Sequence, residues 1–177
     1  MAWDRPRTER CRLPGRRNQI GAGIVTGGKL CRGAGDIAGS VGWFALNPDK
    51  QERYRQSGCW ESEAAGPALA RRAGAATAEA VVEAARNGDP RARQAVAETA
   101  RYLAMGVANI ISILNPQMVV LGGGLMQAGD LLLEPIRREV LDWAQPVSAR
   151  QARIELTRLG EDAGLLGAAR LAFLGNP

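Results

Sequence analysis

Pro116-Gln117-Met118-Val119-Val120-Leu121-Gly122-Gly123-Gly124-Leu125 is the stretch whose reading decides the fold. A short apolar run opens at a proline and closes on consecutive glycines, and a helical pattern follows. This predicts a buried strand feeding a tight strand-to-helix turn. Residues without side chains at such a turn let a ligand come close to the backbone, as the phosphate or adenine end of a nucleotide does. The same glycines serve any chain that simply has to bend there, and the run lacks the fixed spacing of a phosphate-binding fingerprint. On the motif alone both readings stay open.

Downstream of the turn, Asp130 is placed to cap a helix running to about Trp143, with Leu132, Leu133, Ile136, Val140 and Trp143 on its buried side. Pro146 breaks that helix. Residues 152–159 alternate apolar and polar and predict a strand, and a last helix follows over 165–173. Upstream lies the most regular pattern in the chain. Asp89 and Pro90 supply an N-cap and a first helical residue. Val96, Ala100, Leu103, Val107, Ile110 and Leu114 then step by four and three, one apolar stripe facing the core. Asn115-Pro116 ends the helix.

Two Ala- and Glu-rich helices are expected over 61–73 and 76–86. Earlier still, residues 19–26 read as a strand, Gly27-Gly28 as a hairpin turn, and residues 29–33 as the returning strand. Gly21 and Gly23 weaken the first strand unless something approaches its backbone. A further strand is expected over 41–46, and an exposed loop over 50–57. Strand hairpin, helical middle, then strand–helix–strand–helix make an α/β domain with a mixed sheet and helices packed against it.

Composition narrows the function. The 177 residues, 46% hydrophobic and 23% charged, suit a globular protein. No apolar run approaches the roughly 18 residues that span a bilayer, and the N-terminus has no signal-peptide core. Cys11, Cys31 and Cys59 form neither an even set nor a C-x-x-C pair, so a reduced, cytoplasmic setting is expected. Histidine is absent, which removes His-based catalytic triads and His-ligated metals together. The net charge of +5 sits mostly in residues 1–18, which hold six Arg and two acids, leaving +1 for the rest. That segment reads as an unstructured Arg-rich arm, a phosphate-gripping arm or a mis-started reading frame. Nucleic acid is not the expected partner of the body.

Several segments together carry a family resemblance. They are Gly21-Ala22-Gly23-Ile24-Val25 with Lys29-Leu30-x-Arg32-Gly33-Ala34, then Ala38-Gly39-x-x-Gly42, then Gly58-Cys59-x-Glu61-x-x-Ala64-x-Gly66-x-Ala68-Leu69. Asn115-Pro116-x-x-Val119-Val120-Leu121-Gly122-Gly123-Gly124 and Asp162-Ala163-Gly164-Leu165-Leu166-Gly167-Ala168-Ala169 complete the set. Over residues 20–175 their order and spacing resemble the C-terminal half of the ROK family (repressor, open reading frame, kinase), bacterial sugar kinases and sugar-responsive repressors. The resemblance implies one lobe, residues 19–177, of an actin-like ATPase of the ribonuclease-H type, with ATP, Mg and a hexose-type sugar held in a cleft between two lobes. It puts Gly122, Gly123 and Gly124 against the nucleotide, Gly21 and Gly23 at the tail of a phosphate loop, and Glu61 on the sugar hydroxyls, where a carboxylate accepts short bonds. Read without the family, Glu61 is an acidic residue favoured by a helix N-terminus.

The departures matter as much. The family has Glu where this chain has Ser40, and His where it has Trp43, both sugar contacts. That His also ligates a structural zinc, and of the family's zinc cysteines only Cys59 remains. A structural zinc needs about four N or S ligands, so no metal site is expected. The family's Asp-x-Gly-x-Thr loop and the aspartate that deprotonates the sugar are absent from these residues, so no catalytic residue is assigned. The expectation is a ROK sugar kinase-like protein, inactive alone. The alternatives are a non-catalytic regulatory or dimerising module, a homo-oligomer joined through its long helices, and the effector domain of a ROK repressor.

Overall fold

The computed structural model describes residues 19–173, without the side chains of Glu161, Leu171 and Ala172. The Arg-rich arm expected over residues 1–18 lies outside the described residues.

Helices dominate. The longest, α5 (Pro90–Leu114), starts and stops where its sequence says it must: the Asp89 side chain accepts from the Ala92 N–H at 2.7 Å, Pro90 is the first helical residue, and Asn115 closes the helix in the left-handed conformation at φ 43°. Its apolar stripe packs against α6 (Gly129–Trp143), which turns Leu132, Ile136 and Val140 inward at spacings of four. From the other side come α2 (Cys59–Ala64), α3 (Gly66–Ala73) and α4 (Ala78–Arg86). Leu69, Ile111, Leu132 and Ile136 are fully buried.

Some expected boundaries move. The helix expected over 61–73 is two helices, because Ala65 is extended (φ −79°, ψ 167°) and Gly66-Pro67 restarts the chain. Asp130 is not the cap of α6: Ala128 holds that position without a side-chain bond, and Asp130 lies in the first turn, paired with Arg86 at 2.7 Å. Trp143 is exposed rather than buried, and so is Leu114. Residues 112–115 are all exposed, although the Ser112 hydroxyl accepts from the Gln145 N–H at 3.0 Å. Pro146 does more than end α6; it opens α7 (Pro146–Gln151), capped by the Gln145 side chain. The final helix, α8, runs Ala163–Phe173.

Two two-stranded ladders complete the α/β fold. In the first, β1 (Val25–Thr26) and β2 (Lys29–Leu30) pair antiparallel across Gly27-Gly28, both at positive φ (55° and 75°) as a tight hairpin turn requires. In the second, β3 (Met118–Leu121) and β4 (Arg153–Leu156) run parallel, with Val119 opposite Ile154. The antiparallel and parallel pairings expected of one mixed sheet thus occur in separate ladders. The predicted strand over 41–46 is a 3-10 turn, Val41–Trp43, closed by the Phe44 N–H bonding to the Val41 carbonyl at 2.9 Å. The predicted loop over 50–57 holds a helical turn, α1 (Tyr54–Ser57).

Candidate functional site

The predicted site residues fall in two separate regions, each presenting one face, or wall. The first is built around Glu61 on α2. Helix α2 is seated by Trp60, whose Nε1–H donates to the Tyr102 carbonyl at 2.8 Å and whose ring stacks on Phe44 at 5.8 Å. Gly106 lets α5 come in under that ring, since a Cβ there would lie 2.0 Å from it. Helix α2 begins at Gly58 (φ 83°), where any Cβ would strike the Gly42 carbonyl oxygen at 2.3 Å. Gly42 in turn packs on the Ile20 carbonyl, and Gly39 (φ 90°) lies directly on that of Ala22. The Ala22 N–H bonds to the Gly39 carbonyl at 2.8 Å, and the Ile20 N–H donates to Glu61 Oε2 at 2.9 Å. Most of residues 19–24 is therefore not in a ladder, as the strand reading had it, but laid across the Gly39–Gly42 turn.

Glu61 is half-buried, and one oxygen is taken by Ile20. Among the described residues Oε1 has no hydrogen-bond donor, which leaves it able to accept from a ligand hydroxyl. A Cβ on Gly21 would meet the Gly39 carbonyl oxygen at an ordinary 3.8 Å, and one on Gly23 would meet nothing. Ser40 and Trp43 are exposed on the same turn, with the Ser40 hydroxyl donating to the Ile37 carbonyl at 2.7 Å.

Beneath this wall sits a cluster that the sequence reading missed. Glu63 is buried, and its carboxylate takes Arg53 and the Tyr54 hydroxyl on Oε1 at 2.5 Å each, and Arg72 on Oε2 at 2.9 Å. Arg71 is 3.7 Å away. Arg72 reaches on to Thr99 Oγ1 at 3.0 Å and lies over the Tyr102 ring. Burial pushes the Glu63 carboxyl up, but the bonds from Tyr54 and Arg53 and the charges of Arg53 and Arg72 outweigh it and hold it below the usual range. Burial, then the neighbouring Glu63 carboxylate, pushes the Tyr54 phenol up to about 12. The available signal was Glu63 itself, a second acidic residue two positions after Glu61 in a six-residue helix, with Arg71-Arg72 one helix later.

The second wall is the glycine turn. Gly122, Gly123 and Gly124 are exposed at the C-terminal end of β3. Gly122 packs on Thr157, where a Cβ would sit at 3.1 Å, while Cβ atoms on Gly123 and Gly124 would meet nothing. Gly123 is at φ 94°. The backbone here is open on one side, which fits close approach by a nucleotide; its own packing does not demand glycine at 124. The hydrogen bonds among the described residues tie Glu61 to Ile20, not to this turn. A shallow cleft of about 290 Å³ between α6, α7 and β4, lined by Arg137, Ile154 and Glu155, contains none of the expected residues.

Zinc does not fit the segment its cysteines occupy in the family. Cys59 is buried, residues 49–57 carry no thiol, and among the described residues no three His, Cys, Asp or Glu side chains come together as a metal site.

The sequence pattern of the ROK family matches residues 19–173. The chain belongs to the ROK family. Glucokinase of Streptomyces coelicolor is 36% identical over 182 residues, covering 89% of this ROK chain and 57% of the relative. The xylose repressor of Caldicellulosiruptor bescii is 30% identical, covering 84% and 42%. Among solved structures, a ROK family glucokinase of Streptomyces griseus in complex with glucose and AMPPNP superposes with a TM-score of 0.75 at 31% identity, covering 89% of this chain and 60% of that one. The fold is therefore that of the ROK sugar kinases, an actin-like ATPase lobe, and the protein is ROK sugar kinase-like. The chain spans about half the length of the curated relatives it matches. Among the described residues no helix is long and apolar enough to cross a membrane.

Proposed function

We propose that residues 19–173 form the nucleotide- and sugar-facing lobe of a ROK-type hexose kinase cleft, working in the cytoplasm. ATP, as its Mg complex, lies against Gly122–Gly124 with Gly21 and Gly23 facing its phosphates, and a hexose hydroxyl bonds to Glu61. The observation that carries this reading is the contrast among the glycines. Gly23 and Gly124 have open space where a side chain would be and no positive φ, so the chain's own packing does not call for glycine there. That open backbone leaves room for a ligand to back onto it. The general base is not among these residues, so the 177-residue polypeptide binds without turnover.

Calorimetry with ATP·Mg²⁺ and a hexose panel, run beside a coupled ADP assay, tests this. Binding with no ADP release is expected, with hexose binding lost in Glu61→Gln and ATP binding kept. Phosphorylation of a sugar by the isolated chain refutes the missing base; no binding of either ligand refutes the site.

A second reading, a regulatory module or repressor effector domain, is supported by the likeness to the xylose repressor and by Ser40 and Trp43 in place of sugar-holding residues. It predicts hexose binding that ATP does not affect. Leu141, Trp143 and Val147, all exposed near the end of α6, would then be the surface of a dimer. A monomer at high concentration in sedimentation ends that version.

A further inference from the structure

We propose that the buried Glu63 carboxylate is the metal-independent fastener of this lobe's 50–57 segment, and through it the positioning residue for Glu61. The segment that carries zinc thiols in the family has none in this chain, and almost nothing apolar of its own to bury. Yet it is not loose: Arg53 and Tyr54 both end on Glu63 Oε1, and Ser57 Oγ shares a 2.9 Å bond with Ser62 Oγ of the same helix. One carboxylate thus gathers residues from three places, the 53–54 segment, α2 and, through Arg72, α3. Such a cluster is directional, as a metal is, because each guanidinium and hydroxyl donates along a fixed line.

The geometry passes this anchoring on. Glu61 and Glu63 are two residues apart on a six-residue helix, so their side chains leave it on opposite sides. Glu63 holds the side facing Tyr54 and Arg72, and Glu61 faces Ile20 and Gly42. With Trp60 pinned to Tyr102 on the inner face, any roll of α2 that moved Glu63 would carry Glu61 with it. The helix is too short to hold its own orientation. Its rotation is set by Trp60 and the Glu63 cluster, and that decides where Glu61 Oε1 points. The consequence for a hexose rests on the sugar reading above; the fastening itself does not.

Amide hydrogen exchange on the full 177-residue chain tests it, with the Ile20 N–H as the reporter of Glu61. Glu63→Gln is expected to speed exchange of Ile20 and of residues 54–62 by about tenfold or more, the scale of losing one buried charge-assisted bond, while α5 amides keep their rates. Adding EDTA or Zn²⁺ alone to the wild type is expected to change nothing. A wild type that loses this protection in EDTA, or gains it with Zn²⁺, overturns the metal-independent fastener. Unchanged Ile20 exchange in Glu63→Gln overturns the positioning role, as does a uniform rise that includes α5. Should Glu63→Gln not fold, Tyr54→Phe reads the same amides with a smaller rise expected, and no rise overturns the proposal. A glucose titration of the same samples separates the two readings: a wild type that binds no glucose refutes the sugar reading, and the exchange comparison still decides the fastener.

Discussion

The two walls of the candidate site are made in opposite ways. At the Glu61 wall, backbones touch: Gly39 lies on the Ala22 carbonyl, Gly58 on that of Gly42, and an ion cluster locks the helix from behind. At the Gly122–Gly124 wall, Gly122 packs on Thr157 but Gly123 and Gly124 face open space. Gly39, Gly42 and Gly58 let the protein's own backbone come close, whereas Gly123 serves a positive φ of 94° and Gly124 has neither a close neighbour nor a positive φ. A wall closed by its own packing can orient a ligand group before the ligand arrives; an open turn gains its shape partner only on binding.

Substitutions break this comparison most sharply at the closed wall. Glu63→Ala is expected to cost about 3 kcal/mol, the lower end for breaking a buried ion pair, since Arg72 is left nearly buried while Arg53 and Arg71 still reach water. Denaturant melts measure it, and a loss below about 1 kcal/mol would mean that the cluster is no more than a surface network. Gly39→Ala comes next. It combines a Cβ placed 1.8 Å from the Ala22 carbonyl oxygen with φ 90°, a strained conformation for any L side chain, and about 1–3 kcal/mol is expected. The loss should concentrate in residues 19–24, visible as faster proteolysis there ahead of any change in the melt.

A smaller effect is read by pH. The folded state holds the Tyr54 proton more tightly than an unfolded chain does. Stability from this group is complete below about pH 10 and is lost as pH rises toward about 12. Comparing melts of wild type and Tyr54→Phe across that window isolates it, and parallel curves would show that Tyr54 is not coupled to Glu63. The Glu63 carboxyl, held low, contributes stability above the ordinary carboxylate range and loses it as acid reaches its depressed value, the opposite direction. Least of all is expected at the open wall. Gly124→Ala should leave stability within about 0.5 kcal/mol, while weakening ATP binding if the nucleotide lies there. A stability loss as large as that of Gly39→Ala would erase the distinction between the walls.

Much of the helical body was legible because its signals are local. Asp89, Pro90 and the stripe from Val96 to Val107 define α5 through spacing and capping alone, and Gly27-Gly28 defines its hairpin through a turn that needs two positive φ values. The family's order of motifs placed Glu61 and the glycine turn as candidates. Misreadings gathered where neighbours distant in sequence decide. Residues 41–46 look like a strand, but Gly39 and Gly42 let the chain turn back onto Ile20 and Ala22. Residues 50–57 look like a solvated loop because they are polar, yet their polar groups meet a buried carboxylate.

By itself, then, the sequence determined the family, the long helix, the hairpin and the positions of the two glycine-bearing segments, because periodicity, caps and turn residues act within a few residues of themselves. Only the tertiary structure decided that Gly39, Gly42 and Gly58 are closed by the protein's own chain while Gly23 and Gly124 are open, and that Arg53, Tyr54 and Arg72 meet on Glu63. Those outcomes depend on which carbonyl or guanidinium arrives from elsewhere in the chain, and no local pattern encodes that arrival.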